Sequence, residues 1–143
     1  MKVPRTGLPK FAQGVLSELP ARHDRAALVV LSGELGSGKT TFVQALAKEL
    51  GVEQTVASPT YVLMKKYRTT HPVFKTLVHV DAYRLDKPRE FAALKPAQFL
   101  NDPGNLVVVE WPERLGGALP PADATVRFSA DGAKEGERYI EVV

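Results

Sequence analysis

Residues 31–41 read LSGELGSGKTT, and Gly33, Gly38, Lys39 and Thr40 occupy every fixed position of G-x-x-x-x-G-K-[ST]. The chemistry this spacing serves is the gripping of a polyphosphate. Glycines adopt backbone torsions closed to other residues, so successive N–H groups can turn toward anionic oxygens. The start of the helix that follows adds its positive dipole end. Lys39 is then set to reach β- and γ-phosphates, and the Thr40 hydroxyl to bind Mg²⁺. A glycine-rich turn without a ligand would account for Gly33 and Gly38, but not for Lys39 followed by Thr40. The candidate nucleotide-binding segment is therefore Gly33, Leu35, Gly36, Ser37, Gly38, Lys39, Thr40 and Thr41.

A cradle that hydrolyses or transfers phosphate also needs an acid at the end of a neighbouring strand, to hold the metal directly or through its waters. NLVVVEWPE supplies Glu110 after four apolar residues, a Walker-B layout with glutamate in place of aspartate. Thr40 and Glu110 are the expected metal pair. Trp111, the only tryptophan, is a packing residue whose position beside Glu110 makes it a natural reporter. Asp81 ends TLVHVD and is a second candidate acid, able to orient an attacking water or to hold a metal-bound one; capping of the following turn explains it equally well. Thr60, in SPT downstream of the cradle helix, sits where a γ-phosphate-sensing loop would lie, although turn chemistry around Pro59 accounts for the same residues.

The elements that must position these groups follow from periodicity. Residues 8–20, LPKFAQGVLSELP, place Phe11, Val15, Leu16 and Leu19 at helical spacing, with Pro9 in the first turn and Pro20 as a stop. Residues 26–31, AALVVL, and 105–110, NLVVVE, are apolar runs without alternation, expected of strands covered on both faces. From Thr40 the pattern is helical through Phe42, Ala45, Leu46 and Leu50, with Gly51 at the C′ position. YVLMKKY and TLVHVDAY read as strands joined by a hairpin loop, RTTHPVFK. Residues 87–100 form one broken helix or two short ones, because Pro96 interrupts them. The tail from Asp123 reads as two strands joined by a polar turn. The expected fold is α/β, a P-loop NTPase-like three-layer α/β/α arrangement with a mostly parallel central sheet plus antiparallel strands, in a single domain over residues 1–143.

Composition sets the outer bounds. A chain of 143 residues supports a real core but leaves no room for a second catalytic domain. It has no cysteine, which excludes disulfides and thiolate metal sites. His23, His71 and His79 are scattered, without metal-ligand spacing, and read as structural or solvated. No apolar run approaches the length of a bilayer span, and the N-terminus lacks a secretory h-region, so a cytoplasmic location is expected. The net charge of +3 suggests mild attraction to anions. The neighbours Lys65, Lys66 and Arg68 read as a solvated strand edge rather than a nucleic-acid site.

Four motifs, GELGSGKTTF, SPTY, HVDAYRL and VVVEWPERL followed by LP, occur in an order and spacing that resembles the TsaE (YjeE) family of bacterial P-loop ATPases. These are needed to make threonylcarbamoyladenosine in tRNA. The resemblance runs over residues 8–119 and is weaker in the C-terminal strands. It implies ATP bound through residues 35–40, Mg²⁺ on Thr40 and Glu110, and roles for Asp81 and Thr60 in hydrolysis and nucleotide sensing. Ala82 departs from the bulky residue usual in the family. On the adenine side, the region of Arg5 and Thr6 and the GER of residues 136–138, Arg138 included, are the matching positions. The resemblance further implies an accessory factor that docks on the TsaD–TsaB threonylcarbamoyl-transferase complex and resets it by binding or hydrolysing ATP, with any tRNA contact indirect or weak. Basic residues in KPRE or MKKYR are candidates for that docking surface or for an approach to tRNA.

Two rivals share the cradle. A small-molecule kinase needs an acceptor pocket and an arginine-bearing lid; Arg84 and Arg89 could pass for the lid, but no acidic acceptor-binding pair is evident beyond Asp81. A non-hydrolysing nucleotide sensor would keep Lys39 and Thr40 and dispense with Asp81 and Glu110.

Overall fold

The computed structural model describes residues 2–34, 38–56, 63–83, 85, 87, 89–129 and 137–143, with the backbone alone at 2, 5, 137 and 138. Four parallel strands form the centre of a seven-stranded sheet. They are β2 (Ala27–Ser32), β4 (Thr76–Asp81), β5 (Asn105–Glu110) and β6 (Ala124–Ser129). Antiparallel strands complete both edges: β3 (Met64–Arg68) beside β4, and β7 (Glu137–Val142) followed by β1 (Lys2–Pro4) beyond β6. The order is β1-β7-β6-β2-β5-β4-β3. A mostly parallel centre with antiparallel additions is the architecture expected from the apolar runs. β1 was not expected, and its strand character comes from pairing with β7 through Val3 and Arg138 rather than from its three residues.

The period-2 alternation of each strand sends side chains to two separate cores. On one face Val29, Leu31, Leu77, Leu106, Val108 and Val126 pack against α1 (Leu8–Glu18) and α2 (Lys39–Glu49). On the other, Leu28, Val30, Val78, Val80, Val107 and Val109 pack against Phe91 of α3 (Arg89–Ala92), Phe99 and Leu100 of α4 (Pro96–Leu100), and Leu115. Both faces of β2, β4 and β5 are thus covered, which is why their sequences lack polar alternation; β6, with Arg127 exposed between buried Val126 and Phe128, is covered on one face and alternates. Residues 87–100 resolve into two short helices: Pro96 opens α4, where its missing N–H breaks no helical bond. Expected strand residues Tyr61 and Val62 lie outside the described residues.

Two devices fix the ends of β2 and α2. Asp123 accepts the Leu28 N–H at 2.8 Å through Oδ2 while its own N–H donates to the Leu28 carbonyl, and the Arg22 guanidinium pairs with Oδ1. Gly51 ends α2 with φ +80°, as its expected C′ position requires. A Cβ there would fall 1.9 Å from Thr70 Oγ1. Gly51→Ala should therefore lower stability by about 1–2 kcal/mol, combining the positive-φ penalty with displacement of Thr70. An unchanged urea midpoint would contradict this.

Candidate functional site

The parallel register brings the carboxyl ends of three strands to one rim. Leu31 of β2 and Asp81 of β4 both pair with Glu110 of β5. Ligands of open α/β sheets bind at that rim. Because residues 77, 79 and 81 share one face of β4, and 106, 108 and 110 share the same face of β5, His79, Asp81 and Glu110 lie on the α2 side. An apolar groove of about 690 Å³ lined by Val3, Phe11, Val15, Asp123 and Val142 lies instead at the amino end of β6, away from these groups.

At the rim β2 turns into α2. Gly38 takes φ +104° at the helix N-cap, a torsion that favours glycine. The first described backbone bond of the helix runs from the Phe42 N–H to the Gly38 carbonyl at 2.9 Å, so the N–H groups of residues 39–41 face out of the helix N-terminus. Leu35, Gly36 and Ser37 lie outside the described residues.

Lys39 is 4% exposed, and its ammonium donates to the Gly33 carbonyl. The same Nζ stands 3.6 Å from the centroid of the Trp111 ring, a cation–π contact. Burial pushes the Lys39 pKa below the usual lysine range, and the negative charges of Glu110, Glu113 and Asp81, in that order, pull it back. Trp111 reaches this position with φ +60°, unusual for a bulky residue. Its ring also lies 5.1 Å from that of Tyr83.

Glu110 is 3% exposed. Thr40 Oγ1 stands 3.5 and 3.4 Å from its two carboxylate oxygens, longer than a good O–H···O bond. His79, wholly buried, lies with Nε2 at 2.6 Å from Glu110 Oε2. A hydroxyl and a carboxylate facing one another across that gap are hard oxygen donors, and the pair suits Mg²⁺, which takes one or two protein ligands and completes its shell with water and phosphate. Among the described residues, no three His, Cys, Asp or Glu side chains converge into a metal cage.

Asp81 is half-buried at the rim, and its Oδ1 accepts the Tyr83 N–H at 3.0 Å. The turn-capping role is thus present in the same residue that faces the site. Thr41 is half-buried in the first turn of α2. Thr60 and Gly136 lie outside the described residues. Arg138 is placed by its backbone alone, in β7 opposite Val3, as Arg5 is in a 3-10 turn at Arg5–Gly7. Lys65, Lys66 and Arg68 are exposed on edge strand β3, as a solvated strand edge would be.

Two residues of the cluster were not read as site residues from their types. From sequence His79 reads as structural or solvated because no ligand spacing surrounds it; the signal that places it is the i, i+2 relation to Asp81 within an apolar strand. Trp111 reads as a packing residue, and the left-handed backbone that swings its ring over Lys39 has no sequence signature.

Fold and rim together define the P-loop class, with the cradle between the first central strand and its helix, and an acid at the end of the adjacent strand. The family model described as "Threonylcarbamoyl adenosine biosynthesis protein TsaE" matches residues 8–140, and the chain belongs to that family. The TsaE protein of Haemophilus influenzae is 34% identical over 119 residues, 83% of this chain and 71% of its own. That of Treponema pallidum is 36% identical over 114 residues, 78% and 81% of the two chains. The crystal structure of Bacillus subtilus YdiB aligns with a TM-score of 0.64, 24% identity and coverage of 98% of this chain and 82% of that one, which is a likeness of fold. No described helix is long and apolar enough to cross a membrane.

Since Lys39 sits over the only tryptophan, Lys39→Met should change the intensity or maximum of Trp111 emission in ligand-free protein. Superimposable spectra would contradict the contact.

Proposed function

We propose that this protein is a Mg²⁺-dependent ATP-binding and hydrolysing accessory subunit in the formation of threonylcarbamoyladenosine in tRNA, supporting the TsaD–TsaB complex by ATP-driven resetting. Membership of the TsaE family supports the pathway. The observation that carries the ATPase reading is the convergence of Lys39 and Thr40, in the first turn of α2 beyond the carboxyl end of β2, with Glu110 at the carboxyl end of the adjacent parallel β5, Thr40 standing 3.4 Å from the carboxylate.

The roles follow from the chemistry of each group. Backbone N–H groups of the loop and of residues 39–41 bind phosphate oxygens. Lys39 leaves the Gly33 carbonyl and the Trp111 ring to neutralise the terminal phosphates. Thr40 and Glu110 hold Mg²⁺, which when bound neutralises charge on the polyphosphate. Asp81 orients the attacking water and takes its proton as the water oxygen bonds to the γ-phosphorus and the β–γ bridging P–O bond breaks, giving ADP and phosphate. Thr60 reads the presence of the γ-phosphate and passes it to a docking surface. Cytoplasmic location belongs to the same reading.

The test is incubation with labelled ATP, alone and with TsaD–TsaB. Free phosphate that rises when the complex is added is the expected outcome; a phosphorylated metabolite would favour a kinase, and intact ATP a sensor. Lys39→Ala should weaken ATP binding at least about tenfold, as loss of a charged phosphate contact does. Glu110→Gln should retain nucleotide and lower turnover by about 100-fold. Wild-type hydrolysis by the Glu110 variant would refute the metal assignment.

A further inference from the structure

We infer that His79 is a positioning residue: by donating its Nε2–H to Glu110 Oε2 it holds that carboxylate toward Thr40 and so sets the affinity for Mg²⁺. The inference rests on the reading of Glu110 as a metal-side acid.

His79 is fully inaccessible within β4; on the side of the face away from Asp81 and Glu110 it is flanked by apolar Leu77 on its own strand and Leu106 and Val108 on β5, while the residue opposite it on edge strand β3 is the exposed Lys65. An imidazole there carries a desolvation penalty that a leucine would not. Core packing gives no reason for it; the contact with Glu110 does.

At 2.6 Å the His79–Glu110 bond is short and lies wholly inside the protein, whereas both Thr40 distances exceed the range of a firm hydroxyl bond. His79 is therefore the group that fixes the carboxylate, and Thr40 merely faces it. Asp81 is committed through Oδ1 to the Tyr83 N–H.

Nδ1 of His79 is buried with no hydrogen-bond partner among the described residues. An unpaired ring lone pair is cheaper to bury than an unpaired N–H. The network thus assigns the proton to Nε2, and the ring acts as a donor to Oε2 in one direction only. Partners of this kind orient metal-ligating carboxylates, and their loss typically lowers metal affinity by about 10–100-fold.

The experiment measures binding of AMP-PNP to the full chain by calorimetry across a Mg²⁺ series and in EDTA. It compares wild type, His79→Leu, His79→Gln and Glu110→Gln. Glutamine retains an N–H at similar reach; leucine removes it. His79→Leu should weaken the Mg²⁺ dependence about tenfold or more while leaving binding in EDTA unchanged, and His79→Gln should recover most of the loss. If Glu110→Gln loses the Mg²⁺ dependence and His79→Leu does not, this inference alone is overturned. If Glu110→Gln also behaves as wild type, the metal reading itself falls. Equal losses in the leucine and glutamine variants that persist in EDTA would reduce His79 to packing and overturn the inference. Should the leucine variant fail to fold, His79→Asn replaces it: its amide is too short to reach Oε2, so it must lose the Mg²⁺ dependence that glutamine keeps, and parity between the two overturns the proposal.

Discussion

A carboxylate kept out of water at the end of an apolar strand is the constraint on which the rest of this molecule turns. Glu110 completes NLVVVE with 3% of its surface exposed, and an ion so placed costs several kcal/mol unless other groups compensate. His79 supplies one short bond and Thr40 a distant hydroxyl. Lys39 adds opposite charge, and its own ammonium is likewise desolvated, held by the Gly33 carbonyl and the face of Trp111. Lysine and glutamate thus share the rim without forming an ion pair with each other. Such an arrangement suits a guest that carries both signs of charge, an anionic phosphate for the lysine and a cation for the carboxylate.

The sheet exists to keep these groups in register. Parallel pairing of β2, β5 and β4 aligns Leu31, Glu110 and Asp81, and the covering of both faces by α1 and α2 on one side and α3 and α4 on the other leaves the carboxyl ends as the open edge. The antiparallel strands β3, β7 and β1 lie outside this machinery and extend the sheet at its margins. Trp111 links the α3–α4 core to the site. It leaves β5 in a left-handed turn, packs at the margin of the α3–α4 core and turns its ring onto Lys39.

Sequence made the cradle legible because its chemistry needs fixed residue types at fixed spacing: Gly38, Lys39 and Thr40 identify it without any tertiary information. The buried strands were legible for the same kind of reason, since only a strand covered twice tolerates VVVE or ALVVL. Glu110 was found by combining the two. His79 escaped because a lone histidine carries no spacing, and its meaning depends on a register between β4 and β5 that no local pattern reports. β1 escaped because three residues containing proline have little intrinsic preference and are strand-like only beside β7. Asp81 stood between two readings, and the geometry gives it the turn-capping bond without removing it from the rim.

The most direct test of the central claim is calorimetric titration of the well-folded protein with ATP in the presence of Mg²⁺. One molecule of nucleotide per chain should bind, with affinity that falls when EDTA replaces the metal. Absence of heat with any purine triphosphate, with or without TsaD–TsaB, would contradict the account.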